Sequence, residues 1–209
     1  MVDSIIFDLD GTLWDSTDGV VIAFNKVLRE KYPEVTDTVT KEKLQGLFGL
    51  PLDEIGVRLY QSVPEERAKE IIKECCEYEN EYLARTGGIL YDGLEAALRK
   101  LYDRYKLYIV SNCQDGYIQC FFKAYPSLEQ YFQDFTCPGM SGLLKADNIR
   151  LIVKKHNLKH PVYVGDTSGD AKAAREAGVP FIFARYGFGD VQEYEFAVDS
   201  FAELPEKIK

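Results

Sequence analysis

The chain has 209 residues, of which 46% are apolar and 28% are charged, and its formal net charge is -9. This length and composition are typical of a globular protein with one sizeable core, or one core and a small second domain. The acidic balance argues against nucleic acid or an anionic membrane surface as a partner. No apolar run approaches the roughly 20 residues that span a bilayer, and no signal segment is recognisable at the N-terminus. We therefore expect a cytoplasmic monomer or weak homodimer with a small-molecule substrate.

The chain opens with a short apolar run, Ile5-Ile6-Phe7, that leads directly into the segment Asp8-Leu9-Asp10-Gly11-Thr12. Such a run is typical of a buried strand in a parallel sheet, and ligands bind at the carboxyl ends of these strands. Two carboxylates so close together are costly unless a positive group lies between them, and a divalent cation is the usual solution. Gly11 permits a sharp turn there, and Thr12 supplies a hydroxyl and a backbone N–H to the loop.

Residues 16–85 are predicted to form an all-helical insertion. An apolar stripe at helical spacing predicts a helix over 17–31. A longer helix is predicted to begin at Pro64 and to bury the stripe Ile71, Cys75, Tyr78 and Tyr82. Because Cys75 and Cys76 are adjacent, we expect only one of them to face the core; all five cysteines are expected to be reduced thiols. The candidate substrate contacts are Trp14, just before this segment, and Phe48, Leu50, Arg58 and Tyr60 within it. The alternative for each is that its side chain only packs against neighbouring residues.

From Asp92 onward the pattern alternates between strands and helices, which predicts a parallel sheet with right-handed crossovers. Asp92, with Glu95 three residues later, is predicted to cap the first of these helices. The predicted strands are 106–110, 132–136, 162–164 and 179–184, and the predicted helices lie near 94–101, 114–124, 147–153 and 168–177. Polar residues follow three of the strands in the chain, namely Asp8 and Asp10, Ser111, and Asp166. Such strand ends converge on one edge of a doubly wound sheet.

These residue types suit phosphoryl transfer. Asp8 is the candidate nucleophile, because a carboxylate can attack phosphorus to give an aspartyl-phosphate that water then hydrolyses. Asp10 is the candidate acid that protonates the leaving group and the base that activates water. Ser111 and the Asn112 backbone are placed to hydrogen-bond the phosphoryl oxygens, in a site that also includes Gly11 and Thr12.

A lysine is needed to balance the charge of the transferring group, and Lys145 is our choice, because it follows the loop 139–142 and precedes a helix. Asp166 would complete a metal site with Asp8 and Asp10, and Asp170 would either join that site or orient Lys145. Carboxylates, carbonyls and waters suit Mg²⁺.

The ordered set Asp8-Leu9-Asp10-Gly11-Thr12, Ser111-Asn112, Lys145 and Gly165-Asp166-Thr167-Ser168-Gly169-Asp170 resembles the haloacid dehalogenase superfamily. The resemblance implies an α/β fold with a Rossmann-like three-layer core and a parallel sheet, plus a small all-helical cap domain inserted after the first strand. On this basis we expect the core domain to comprise 1–15 and 86–209, and the cap to comprise 16–85. It also implies that Asp8 is nucleophile and metal ligand, and that Asp10 binds the metal through its carbonyl. Lys154, Lys155 and Lys159 fit the family spacing less well than Lys145.

Two features bear on the activity within that superfamily. Its dehalogenases lack the second acid of the opening motif, so Asp10 indicates phosphoryl chemistry. Members like β-phosphoglucomutase carry a histidine shortly after that motif, whereas residues 18–24 contain none. The expected activity is therefore Mg²⁺-dependent hydrolysis of phosphomonoesters of small metabolites, similar to phosphoglycolate-phosphatase-like enzymes. A mutase or phosphotransferase, and a regulatory protein without turnover, are the alternatives.

Overall fold

A computed structural model describes all 209 residues. Its eight strands are β1 Ser4–Phe7, β2 Trp14–Asp15, β3 Ile89–Leu90, β4 Lys106–Val110, β5 Phe132–Thr136, β6 Pro161–Gly165, β7 Phe181–Ala184 and β8 Phe196–Val198. Its helices are α1 Thr17–Lys31, α2 Lys41–Gln45, α3 Leu52–Leu59, α4 Glu65–Thr86, α5 Leu94–Tyr102, α6 Tyr117–Ala124, α7 Pro126–Glu129, α8 Pro138–Ser141, α9 Lys145–Lys155, α10 Ser168–Ala177 and α11 Leu204–Lys207. A short 3₁₀ turn, Phe201–Glu203, precedes α11.

Six strands form one sheet in the order β5-β4-β1-β6-β7-β8, and every neighbouring pair is parallel. Strand β1 lies at the centre, with Phe7 opposite both Ile109 of β4 and Val164 of β6. The connections between the parallel strands contain helices, as the alternating pattern predicts, except that from β7 to β8, which is a loop. This sheet, covered by helices on both faces, is the predicted α/β Rossmann-like core.

Alternate residues of the central strands enter two different apolar clusters. Ile5 and Phe7 belong to the larger cluster, whereas Ile6 belongs to the smaller one beneath α9 and α10. All three side chains are fully buried. A strand that is apolar on both faces must be covered on both faces, which explains the three layers.

Helices α1 to α4 follow one another between β2 and β3, and α4 packs against α1, α3 and the core helix α6. Their apolar residues join the larger cluster of the sheet. The helix predicted over 17–31 matches α1. Gly56 lies inside α3, where an added Cβ would meet Ile72 of α4 at 2.8 Å. This glycine therefore permits the close approach of α3 to α4. The division at 15/16 and 85/86 stays a prediction.

The expectation that only one of Cys75 and Cys76 would face the core is wrong. Both are buried, because α4 is covered on more than one side by its neighbours. Tyr78 and Tyr82, predicted in the buried stripe, are only half-buried, and Glu79 and Leu83 are buried instead. The cysteines are all free thiols, as predicted.

Asp92 does not cap α5. Gly93 is the residue before the helix and adopts a left-handed φ of 74°, and no side chain caps that end. Three short strands were also missing from the sequence prediction. β2 and β3 pair with each other as an antiparallel ribbon, and β8 extends the main sheet beyond β7. None of the helices combines the length and the apolar character needed to cross a bilayer.

Candidate active site

The parallel register brings the predicted strand-end residues to one edge of the sheet. Asp8 follows β1, Ser111 follows β4 and Asp166 follows β6. The Asp8 backbone N–H donates to the Val164 carbonyl at 2.9 Å, which continues the pairing of β1 with β6. All three side chains are buried. The structure thus brings together the groups that the motif order predicts, at the edge where open α/β sheets bind ligands.

Lys145, the first residue of α9, reaches this edge. Its Nζ donates to Asp8 Oδ1 at 2.8 Å and also to Asp170 Oδ1. Burial alone would lower the pKa of Lys145, but the charges of Asp170 and Asp8 outweigh it and hold that pKa well above its ordinary value. The ammonium therefore stays charged between two carboxylates. Lys145, rather than Lys154, Lys155 or Lys159, is the lysine that the structure places at the site.

Asp8, Asp166 and Asp170 form a buried cluster in which one carboxylate oxygen from each lies within 4.8 Å of the others. Burial, followed by the charge of Asp170, raises the pKa of Asp8 to about 6, and burial and the same neighbour raise the pKa of Asp166. The chain buries five carboxyl side chains but only one basic side chain, Lys145. This excess of negative charge and the all-oxygen donor set fit a divalent cation.

Asp170 also holds the loop that carries Asp166. Its Oδ2 accepts from the backbone N–H of Asp166 at 3.2 Å and of Thr167 at 2.9 Å. Thr167 in turn accepts from the Asp170 backbone, which completes a capping box at the start of α10. The position of Asp170 is therefore compatible with both roles left open by the sequence, because one oxygen faces Lys145 and the other fixes the loop.

The segment Gly187-Phe188-Gly189 closes the other side of Asp166. The Phe188 backbone N–H donates to Asp166 Oδ2 at 2.8 Å. A Cβ on either Gly187 or Gly11 would overlap the Asp166 side chain. The sequence prediction missed this segment. The only indication in the sequence was the pair of glycines after a strand. Such glycines indicate that another group approaches the backbone closely, but they do not identify that group.

Asp10 is held by three donors that converge on one oxygen. Trp14 Nε1, Ser16 Oγ and the Tyr117 hydroxyl donate to Asp10 Oδ1 at 2.9, 2.6 and 2.8 Å. Its other oxygen, Oδ2, accepts no hydrogen bond from the protein. Burial raises the pKa of Asp10 to about 7, although these three hydrogen bonds lower it. The carboxyl is fixed in orientation and has one oxygen free to carry a proton.

The remaining predicted phosphate contacts separate into two groups. Ser111 and Asn112 line a cavity together with Asp8 and Asp10. The Asn112 amide donates to the Gly49 carbonyl of the helical segment at 2.7 Å. Thr12 is fully buried, with its hydroxyl 3.5 Å from Asp166 Oδ1, and it does not line this cavity.

The cavity has a volume of about 40 Å³ and lies between the sheet edge and the helical segment. Apolar side chains from α1, α2 and α3 and the loop between them face the acids across it, namely Val20, Phe24, Leu44, Phe48, Leu52 and Ile55. A larger groove of about 530 Å³ adjoins it and shares Gly49 and Asn112 with it. A volume of 40 Å³ holds a few waters but no phosphate ester, so the structure is closed around its site.

Glu79 of α4 also lines this cavity, and the sequence prediction missed it. Gln114 Nε2 donates to Glu79 Oε2 at 2.9 Å and to Asn80 Oδ1 at 2.9 Å. Burial, followed by the charge of Asp10, raises the pKa of Glu79 to about 8.

Among the candidate substrate contacts, Phe48 lines the cavity and stacks on Phe188 with ring centroids 5.0 Å apart. Leu50 lines only the outer groove, and Arg58 forms an exposed pair with Glu54. Trp14 and Tyr60 are buried in packing, where Trp14 also holds Asp10.

Comparison with known proteins gives a consistent result. The family described as haloacid dehalogenase-like hydrolase matches residues 5–184. A phosphoglycolate phosphatase of Vibrio vulnificus is 26% identical over 96% of this chain and 93% of its own length. A 5'-nucleotidase of Pseudomonas aeruginosa is 25% identical over 91% of this chain and 86% of its own length. The crystal structure of a predicted phosphatase from Clostridium acetobutylicum superimposes with a TM-score of 0.81 and 27% identity, covering 100% of this chain and 98% of that one.

Proposed function

Because the chain belongs to the haloacid dehalogenase-like hydrolase family, we propose that it is a Mg²⁺-dependent phosphatase of small phosphorylated metabolites, acting through an aspartyl-phosphate. The observation that carries the proposal is the convergence of two differently held carboxyls, Asp8 and Asp10, with one buried cation, Lys145. Relatives named as phosphatases support the reaction class.

In the first step, an Asp8 carboxylate oxygen attacks phosphorus and the bond from phosphorus to the leaving oxygen breaks. The Lys145 ammonium, 2.8 Å from Asp8 Oδ1, keeps Asp8 ionised and offsets the charge that accumulates on the phosphoryl oxygens. Ser111 and the Asn112 backbone N–H donate to those oxygens. The product of this step is a phosphoryl group on Asp8 and a free alcohol.

Asp10 supplies and then recovers one proton. Its Oδ1 is saturated by Trp14, Ser16 and Tyr117, so the proton resides on Oδ2. That oxygen protonates the departing alkoxide and later removes a proton from the water that attacks the phosphoryl group. The second step releases inorganic phosphate and restores the Asp8 carboxylate.

Asp8 and Asp166, with the Asp10 carbonyl, are the residues that would hold Mg²⁺, and Asp170 lies in the same cluster. When bound, the ion neutralises the clustered carboxylates and the phosphoryl oxygens. The oxygen donors and the unbalanced charge support this assignment.

We assign residues 16–85 the role of a cap. The cavity of about 40 Å³ is too small for a phosphate ester, so the substrate enters only after the helical segment moves away from the sheet edge. The contacts that would break are the hydrogen bond from Asn112 to Gly49 and those from Gln114 to Glu79 and Asn80. When the segment closes over a bound ester, less tightly than in this structure, it excludes water from the first step and places the apolar cap residues against the leaving group.

The test is phosphate release from a panel of phosphomonoesters, with and without Mg²⁺, by wild type and by Asp8→Asn. We expect Mg²⁺-dependent release by wild type that falls by roughly 10⁴-fold or more in Asp8→Asn. Asp103→Asn is the matched control, because Asp103 is exposed at the end of α5. Transfer of the phosphoryl group to a second alcohol without phosphate release, or near-normal rates in Asp8→Asn, would contradict the proposal.

A further inference from the structure

The cavity above the reacting carboxyls contains a single charged group from the helical segment, Glu79. It is only 5% exposed, and it lines the cavity that Asp8 and Asp10 line from the opposite side. Its one hydrogen-bond donor from another element is the Gln114 amide, and it forms no ion pair. Burying an acid without a basic partner costs free energy. The hydrolysis steps proposed above do not use Glu79. Glu79 and Asp10, the proposed proton donor to the leaving group, line the same cavity, so a leaving group that enters this cavity would lie beside Glu79.

No lysine or arginine lines this cavity. The basic residues of the helical segment are exposed or half-buried, and several pair with surface acids, as Lys31 does with Glu74 and Lys41 with Asp18. Lys145, the one buried cation of the chain, is already shared between Asp8 and Asp170. A carboxylate on the leaving group would therefore meet no positive charge on the cap side.

The rest of the cap side cannot solvate a carboxylate either. Phe24, Phe48 and Leu52 are typical of this lining, which is apolar apart from Glu79. Desolvating an anion in such surroundings without a cation is strongly unfavourable. A hydroxyl or an ammonium group differs, because it can donate a hydrogen bond to the Glu79 carboxyl while its carbon atoms contact the apolar side chains.

We propose that Glu79 selects the leaving group, so that this enzyme prefers phosphate esters of short alcohols that bear a hydrogen-bond donor and no negative charge. The proposal rests on the proposed phosphatase function. It separates this chain from a phosphoglycolate phosphatase, whose substrate carries a carboxylate at the position that would face Glu79. Because burial raises the pKa of Glu79 to about 8, its carboxyl is an anion, and the preference is strongest, above that pH.

The experiment compares four esters with nearly the same two-carbon skeleton: 2-hydroxyethyl phosphate, 2-aminoethyl phosphate, ethyl phosphate and 2-phosphoglycolate. The measurement is kcat/KM for phosphate release in Mg²⁺ at about pH 8.5, where Glu79, with its pKa of about 8, is mostly ionised. The compound p-nitrophenyl phosphate serves as a general phosphatase substrate. For wild type we expect a kcat/KM for at least one of the two donor-bearing esters that exceeds that for 2-phosphoglycolate by about tenfold or more, because like charges in a cavity are strongly disfavoured. The two donor-bearing esters distinguish a hydroxyl from an ammonium preference.

The variant Glu79→Gln removes the acid and keeps its size. We expect the ratio of the preferred donor-bearing ester to 2-phosphoglycolate to fall by about tenfold. Each ratio is taken within one protein, so a general loss of activity cancels. Glu77→Gln is the matched control, since Glu77 lies two residues earlier on α4 and is exposed; its ratio should equal that of wild type.

A wild-type preference for 2-phosphoglycolate, or an unchanged ratio in Glu79→Gln, would overturn the inference and leave the phosphatase proposal standing. Hydrolysis of p-nitrophenyl phosphate but of none of the four esters would also overturn the inference alone. Absence of phosphate release from every compound, including p-nitrophenyl phosphate, would overturn the proposed function and the inference with it.

Discussion

The Tyr117 hydroxyl of α6 donates to Asp10 Oδ1 at 2.8 Å, although the two residues are 107 positions apart in the chain. The same hydroxyl lies 2.9 Å from Ser16 Oγ, and its ring packs edge-on against Trp14 with centroids 5.9 Å apart. Tyr117 thus contacts both other donors to Asp10 and fixes the orientation of that carboxyl. We regard it as a positioning residue that does not itself touch the substrate.

Tyr117→Phe should lower kcat/KM by about 10- to 100-fold for alkyl phosphates, because it removes one of the three hydrogen bonds that orient the Asp10 carboxyl. The loss in kcat/KM should be smaller for p-nitrophenyl phosphate, because kcat/KM reports the steps up to phosphorylation of Asp8 and this leaving group departs without protonation. Steady-state kinetics with both substrates checks this, and Tyr102→Phe, at an exposed tyrosine of α5, is the control. An equal loss with both substrates would point to a structural role and contradict the assignment.

Gly187→Ala should raise the Mg²⁺ concentration required for half-maximal activity by about 10- to 100-fold, the usual effect of disturbing a group next to a metal ligand. The reason is that an added Cβ would overlap the Asp166 side chain. A Mg²⁺ titration of phosphate release measures the effect.

Gly46→Ala is the matched control, because Gly46 has a φ of -70° and its nearest neighbouring atoms would lie 3.6 Å from an added Cβ. An unchanged Mg²⁺ requirement in Gly187→Ala would show that Gly187 is not needed to keep the Asp166 side chain in position.

The buried Glu79 should make the fold less stable as the pH rises. Its pKa is raised from 4.5 to about 8, so between these values the folded state binds more protons than the unfolded state. Stability therefore falls with rising pH across this window, by up to about 1.4 kcal/mol per pH unit. The groups that act on Glu79 are Asp10, Cys76 and Gln114, and all three remain in the variant Glu79→Gln.

The contribution of Glu79 to the pH dependence of stability is measured by urea unfolding of wild type and Glu79→Gln. The measurements are made at pH 5, 6, 7 and 8 in the presence of a chelator. The free energy of unfolding of Glu79→Gln relative to wild type should increase with pH. A difference that stays constant from pH 5 to pH 8 would mean that Glu79 does not titrate in this window.

The sequence was sufficient to predict the groups at the sheet edge. Asp8, Ser111 and Asp166 each follow a buried apolar strand, and parallel register leaves little freedom in where such residues lie. Lys145 is different, because its place in the motif order and its position between the loop 139–142 and a helix were its only indications. The structure explains that choice, since α9 begins at Lys145 and directs its side chain to Asp8 and Asp170.

The sequence could not show how the helical segment lies over that edge. Tyr117 and Phe188 reach the acids through the packing of whole elements, which no local pattern records. Glu79 did leave a signal, because it occupies a position in the buried stripe of α4 between Cys76 and Leu83. An acid at an otherwise apolar position of a helix indicates a buried polar contact. The expectation for Cys76 was wrong for the related reason that α4 is covered on more than one side.

The most direct test is to trap the phosphoryl group on the enzyme. Asp10→Asn, which lacks the base for the second step, is mixed with p-nitrophenyl [³²P]phosphate and Mg²⁺, quenched in acid and digested. We expect a hydroxylamine-sensitive label on the peptide that contains residues 5–12, located at Asp8 and absent when Asp8→Asn is combined with Asp10→Asn. Release of p-nitrophenol with no labelled peptide, or a label on any other residue, would contradict the aspartyl-phosphate mechanism.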